Sequence, residues 1–342
     1  MTMAIESVRP ASARRAGRER LIRYFARRLG QAAITLVAIV VFNFAILHLA
    51  PGDAIDVLAG EAGGADAEFV AELRKSYGLD QPVYIQMFQY LWNVAQLNFG
   101  YSFRNNVSVL ELIMSRLPAT LLLMSASIVV SFTLGILLGV FAARRVNTFA
   151  DNAVSVLALL CYATPLFWFG LMAIVLFTVK LDLLPGNGMY TIAADFNWFE
   201  AALDVGRHLI LPTFSLALFH MAVYTRLMRA SMLEVYGLDY IRTARAKGLS
   251  QRRIAFRHVL PNAILPMVTM LGLQVGALLG GAVLIETVFG WPGLGRLAFD
   301  AILQRDHNLL IGILLIGSAL VVLANIVTDL VYAWLDPRIE VA

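Results

Sequence analysis

Six stretches of about 20 predominantly apolar residues recur along the chain, at residues 29–49, 119–143, 153–179, 209–232, 263–285 and 309–335, each long enough as a helix to cross roughly 30 Å of hydrocarbon. Lipid offers no water to an open backbone, so such runs are forced into helices that pair every N–H and C=O internally. The expected fold is an all-α integral membrane protein with six transmembrane helices. Composition agrees, because 59% of the 342 residues are hydrophobic and only 15% charged, against about 25% charged in soluble domains. A water-soluble globule is excluded.

Charge placement then sets orientation. Of the 27 Lys and Arg residues, 19 fall in the N-terminal tail, at Arg144 and Arg145, between Arg226 and Arg257, and at Arg338. The positive-inside rule therefore predicts a multi-pass protein with both termini in the cytoplasm. The net charge of +4 is read as this topological signal, and no nucleic-acid partner is expected. The first apolar run is too long for a secretory h-region and is followed by Pro51, so it reads as a signal-anchor. The organisation expected is a basic cytoplasmic tail at 1–28 and a single transmembrane domain over 29–342. That domain includes an extracytoplasmic segment at 51–118 and a cytoplasmic loop at 233–261. The segment carries scattered Asp and Glu residues and then an aromatic-rich run at 84–103. We read it as a small cap with short interfacial helices, its rings forming a headgroup belt or touching a solute.

Several features inside the spans are candidates for a pathway or gate. Gly272, Gly276 and Gly280 recur every four residues, on one helical face, where they permit either close helix packing or sliding along a pore. Gln274 adds a polar group nearby. Pro165, after Tyr162 and Thr164, removes a helix hydrogen bond and predicts a kink, static or hinged. Asn325 and Asp329 share a face of the last span and need a polar partner or water.

No catalytic constellation is present in the sequence. The five histidines are dispersed, the lone Cys161 supports neither a disulfide framework nor a cysteine-rich metal site, and no metal site is expected. The phosphate-loop pattern GxxxxGK[ST] is also missing. Energy must come from a partner or an ion gradient, and an ion-coupled secondary transporter is the rival reading, although neither charged mid-membrane helices nor an internal repeat stands out.

The cytoplasmic loop is punctuated in an informative way. Asp239 is a plausible N-cap, Tyr240 to Lys247 spell two helical turns, Gly248 a left-handed stop, and Ser250 the cap of a second helix ending before Pro261. This order resembles the EAA loop of ABC importer permeases. Gly248, Leu260 and Pro261 match its spacing and Ala244 takes its last alanine. Arg242 and Thr243 replace the Glu and first Ala, and His258 replaces an Ile. Those departures resemble the dipeptide, oligopeptide and nickel permease family, for which the run from Tyr240 through Arg245, Ala246, Lys247 and Leu249 to Ser250 is typical. Further matches are Ala50 to Asp53, Tyr77 to Pro82, Gly100 to Phe103, Leu117 to Thr120, and Glu286 to Gly295.

The resemblance implies a type I ABC importer permease, the first of the two paired permease types, in a bacterial or archaeal cytoplasmic membrane. It implies that residues 240–250 dock on ATP-binding subunits. It also implies a second homologous permease, two ATPase subunits that hold the ATP and Mg, an extracytoplasmic substrate-binding protein, and no cofactor in this chain. Peptides are the expected cargo, with nickel chelates, glutathione or another small solute as alternatives. Glu286, Phe289, Trp291, Pro292, Gly293 and Arg296, on the outward loop between the last two spans, are expected to dock the partner permease or the binding protein, or else simply to connect helices.

Overall fold

A computed structural model describes residues 27–45, 81–102 and 104–335, with the side chains of 329–335 left aside. The tail, the motifs at Ala50 to Asp53 and Tyr77, Phe103, the Asp329 side chain and Arg338 lie outside the described residues. The helices are α1 (Arg27–Ala45), α2 (Val83–Ala95), α3 (Val109–Ala143), α4 (Phe149–Ala163), α5 (Leu166–Ala173, continued by a π segment Ile174–Lys180) and α6 (Trp198–Tyr236). They are followed by α7 (Asp239–Ala246), α8 (Gln251–Arg253, continued by a π segment Ile254–Val259), α9 (Leu260–Ala263), α10 (Leu265–Val288), α11 (Leu294–Leu303) and α12 (His307–Leu335). Among the described residues, five helices are long and apolar enough to cross a membrane, and α4 with α5 supplies a sixth if that bent pair is one span.

The six-span expectation thus holds with one change of shape. The third span turns by 103° between Ala163 and Leu166. Thr164 (ψ 130°) and Pro165 (ψ 132°) are both extended, because the proline ring pushes the residue before it out of the helical region. Span ends also move. The second begins ten residues earlier than expected, at Val109, where the Ser108 hydroxyl caps Glu111 N–H, and the fourth begins at Trp198 under a capping box from Asn197 and Glu200. Pro118 and Pro212 sit inside these helices. At 35 and 39 residues, α3 and α6 reach about 52 and 58 Å, well past the hydrocarbon. The segment between the first two spans is helical at α2 but also holds a small antiparallel hairpin, β1 (Tyr101–Ser102) with β2 (Val107–Ser108), a correction to the purely helical cap.

The centre of the bundle is the α3–α6 pair. Ser127, Ser131, Gly135 and Gly139 form a buried stripe along α3 at four-residue intervals. A Cβ on Gly139 would lie 2.6 Å from Met228 Cβ and 2.8 Å from the Thr225 carbonyl, so only glycine lets the two backbones approach this closely. Gly139→Leu should destabilise the chain by about 2–3 kcal/mol, read as a lower melting temperature in detergent. Gly280→Ala, whose added Cβ meets nothing within 4 Å, should leave melting unchanged. Equal melting of both variants would refute this packing account.

Candidate coupling surface and its supports

Helix α6 ends at Tyr236, and Gly237 and Leu238 turn the chain into α7. Leu238, not Asp239, takes the cap position and makes no side-chain cap bond; Asp239 is the first helical residue, accepting from Arg242 Nη1 at 3.2 Å. Ile241 and Ala244 face inward, at 0% and 6% exposure, against Val140, Ala143, Met228, Met232 and Ile254. The spacing of three puts both on one side of the short helix. Tyr240, Arg242, Thr243, Arg245, Ala246 and Lys247 are left on the open face. The helix stops where the sequence says it should. Gly248 has φ +75°, its N–H donates to Arg245 O (2.9 Å), and Leu249 N–H donates to Ala244 O (3.3 Å), the paired bonds of a Schellman stop. Leu249 packs on the same cluster.

Ser250 caps the next helix by accepting from Arg253 N–H (3.4 Å). That helix does not end before Pro261. It widens into the π segment Ile254–Val259 and resumes as α9 with Pro261 in its first turn, a place where a missing N–H costs nothing. The two arms of the loop are clamped. Tyr240 Oη donates to His258 O (3.2 Å), while Asn262 Nδ2 donates to both Tyr240 Oη (2.9 Å) and His258 O (3.1 Å). Asn262 was not singled out from sequence, and nothing local marks it. The result is a short lever whose inner face is anchored in the bundle and whose outer face is polar and basic. Arg144 lies over the Phe256 ring (5.6 Å to its centroid), so the basic turn at 144–145 and the basic loop share one end of the molecule.

The membrane-embedded candidates divide. Gly272 packs against Thr328 of α12, where a Cβ would come within 2.8 Å; Gly276 faces Val321 at 3.8 Å, and Gly280 faces open space. Gln274 is turned away from that side and pairs its amide oxygen with His220 Nδ1 on α6, both groups buried. Tyr162 stacks on Phe219 of α6 (4.9 Å between centroids), and Thr164 Oγ1 donates to Leu160 O (2.7 Å) beside the Pro165 bend.

The loop from Glu286 to Arg296, expected either to dock a partner or simply to connect helices, packs largely inward within this chain. Trp291 is fully buried and its indole N–H donates to Ala119 O (2.9 Å); Phe289 is 1% exposed. The apolar body and single donor of Trp291 are both satisfied there, which a surface turn would not do. Glu286, at 0% exposure, accepts from Thr120 Oγ1 (2.7 Å) and Arg296 N–H (3.0 Å), with Gly295 N–H facing the same carboxyl. Thr120 Oγ1 accepts in turn from Leu294 N–H (2.7 Å). A side chain on Gly293 would collide with the Glu286 carboxyl. Pro292 is half-buried, and Arg296, the exposed member of the group, donates through Nη1 to Gly290 O (2.7 Å). These bonds seal the loop to the start of the apolar part of α3.

Residues 135–341 match the family described as the binding-protein-dependent transport system inner membrane component, and residues 21–124 match its N-terminal counterpart. The chain is 40% identical over 319 residues to the oligopeptide transport system permease protein AppB of Bacillus subtilis, covering 93% of this chain and 99% of that protein. It is 40% identical over 334 residues to the di/tripeptide permease DppB of Pseudomonas aeruginosa (94% and 99% covered). Against the dipeptide permease DppB of Escherichia coli it is 39% identical over 337 residues (94% and 99%). An inward-facing structure of the MetNI methionine ABC transporter superposes with a TM-score of 0.53 at 18% identity, over 66% of this chain and 96% of that one, a likeness of fold.

Proposed function

Because the chain belongs to the family of binding-protein-dependent transport system inner membrane components, we propose that it forms half of the pathway through which an ATP-driven importer carries di- or oligopeptides across the cytoplasmic membrane. The observation that carries this reading is the loop from Asp239 to Pro261. It presents a capped, clamped helix with a basic open face, joined rigidly to the long helix α6. Such a lever does nothing by itself. It suits a partner that grips Tyr240, Arg242, Arg245 and Lys247 and displaces them. On this reading two ATP-binding subunits hold ATP and Mg and supply that displacement, a second homologous permease completes the pathway, and an extracytoplasmic protein delivers the solute. The chain itself performs no catalysis, and both of its termini face the cytoplasm.

Three relatives at 39–40% identity carry peptide permease names, which favours peptides over nickel chelates or glutathione. Mass spectrometry of the solute retained when the complex is co-purified with its binding protein is the test. Short peptides are the expected finding. A nickel chelate or glutathione in their place would overturn the cargo assignment while leaving the permease role intact.

A further inference from the structure

Helix α4 is attached to the bundle by little apolar surface. Of its 15 residues only Asp151 and Ala158 are buried, and Val156, Leu157, Leu159 and Leu160 are about half exposed. Asp151 is therefore its main inward anchor. A carboxylate at 1% exposure persists only when its charge is matched and its lone pairs are filled. Both conditions are met: Arg229 of α6 donates through Nε (2.6 Å) and Nη2 (2.8 Å), and Asn147 N–H donates to the same carboxylate (3.1 Å). This two-pronged geometry fixes direction as well as distance. One side chain thereby ties the basic turn, the start of α4 and the length of α6 that leads into the lever α7.

The far end of the pair of helices is also attached. Tyr162 stacks on Phe219, and after the 103° bend Gly170 of α5 packs against Phe289, Val288 and Ile285. Phe289 and Ile285 belong to the cluster around Trp291. Helices α4 and α5 thus run from the lever end of α6 to the outward seal. We propose that the Asp151–Arg229 pair is a strut that makes α4 travel with α6, so that displacement of α7 reaches the seal through α5. Both are positioning residues, and the inference rests on the importer reading above.

The test uses the whole importer, reconstituted with its ATPases and binding protein. Asp151→Asn keeps shape but removes the charge. Transport per ATP hydrolysed should fall about tenfold with assembly retained. Spin labels at Phe149→Cys and Glu234→Cys, with Cys161→Ala, should report one narrow distance in the resting and ATP-trapped states of the parent. The same labels should report a broadened, state-dependent distance in Asp151→Asn. If that variant fails to accumulate, Arg229→Lys, which keeps charge and loses the fork, should lower the ratio by about threefold. An unchanged ratio in the variant tested, or a parent distance that shifts as much as the variant's, would overturn the strut alone. Loss of ATP-driven uptake in the parent complex would overturn the importer reading and the strut with it.

Discussion

Glu286→Ala should prevent the chain from accumulating in a folded state, whereas Glu286→Gln should survive with reduced stability. The carboxyl is fully buried and meets Thr120 Oγ1, Arg296 N–H and Gly295 N–H. Alanine leaves those donors without an acceptor in a water-poor site, at about 1–3 kcal/mol each. Even the low end of that sum is a large part of the roughly 5–15 kcal/mol that holds a typical domain together. The loss would also free the loop that Trp291 pins to Ala119. Glutamine retains one acceptor oxygen and presents an amide donor to a backbone N–H, so a cost of about 1–2 kcal/mol is expected. Melting temperature in detergent and yield in the membrane fraction are the readouts. A Glu286→Ala variant that melts with the parent would show that the carboxyl does not hold the seal.

Gly248→Val should leave assembly and ATP hydrolysis largely in place and lower uptake by about tenfold or more. An added Cβ at Gly248 meets nothing within 4 Å, so crowding is not the cause. The cost is conformational: φ is +75°, a region that costs an ordinary residue about 1–2 kcal/mol and a β-branched one more. Relief of that strain breaks the two bonds that end α7, lifts Leu249 from its cluster and rotates the polar face of Tyr240, Arg242, Arg245 and Lys247. Gly248→Asn, which enters the left-handed region more readily, should fall between. The measurement is transport per ATP in proteoliposomes. Full transport by the valine variant would contradict the role given to this turn.

What the sequence made legible was local. Gly248 and Ser250 announce a helix stop and a helix start within a few residues, and both occur in the structure. The apolar runs located the spans. The start of the second span was missed at Pro118 because a proline looks like a boundary, yet within a long membrane helix neighbouring elements re-satisfy the freed carbonyl; the start of the fourth was missed because Glu200, Asp204, Arg207 and His208 interrupt the apolar run before Leu209. The size of the bend at Pro165 was hidden for a different reason, since it depends on where α5 finds its packing surface on α10. The stripe Ser127, Ser131, Gly135 and Gly139 has the same four-residue period as Gly272, Gly276 and Gly280 and could have been read beside it. The pairings that position the site are separated too widely for any local signal. Thr120 and Glu286 stand 166 residues apart, and Asp151 and Arg229 stand 78 apart. The burial of Trp291 was equally hidden, since only the fold brings the Ala119 carbonyl to its indole.

On the function proposed above, ATP hydrolysis on partner subunits, delivered through α7, moves peptide through this chain. The most direct measurement is uptake of a labelled dipeptide into proteoliposomes holding the assembled complex and its binding protein, with ATP supplied to the ATPase side and a protonophore present. Uptake is expected to need ATP and to persist after the proton gradient is collapsed. Uptake that stops with the gradient, or proceeds without ATP, would contradict the proposed function.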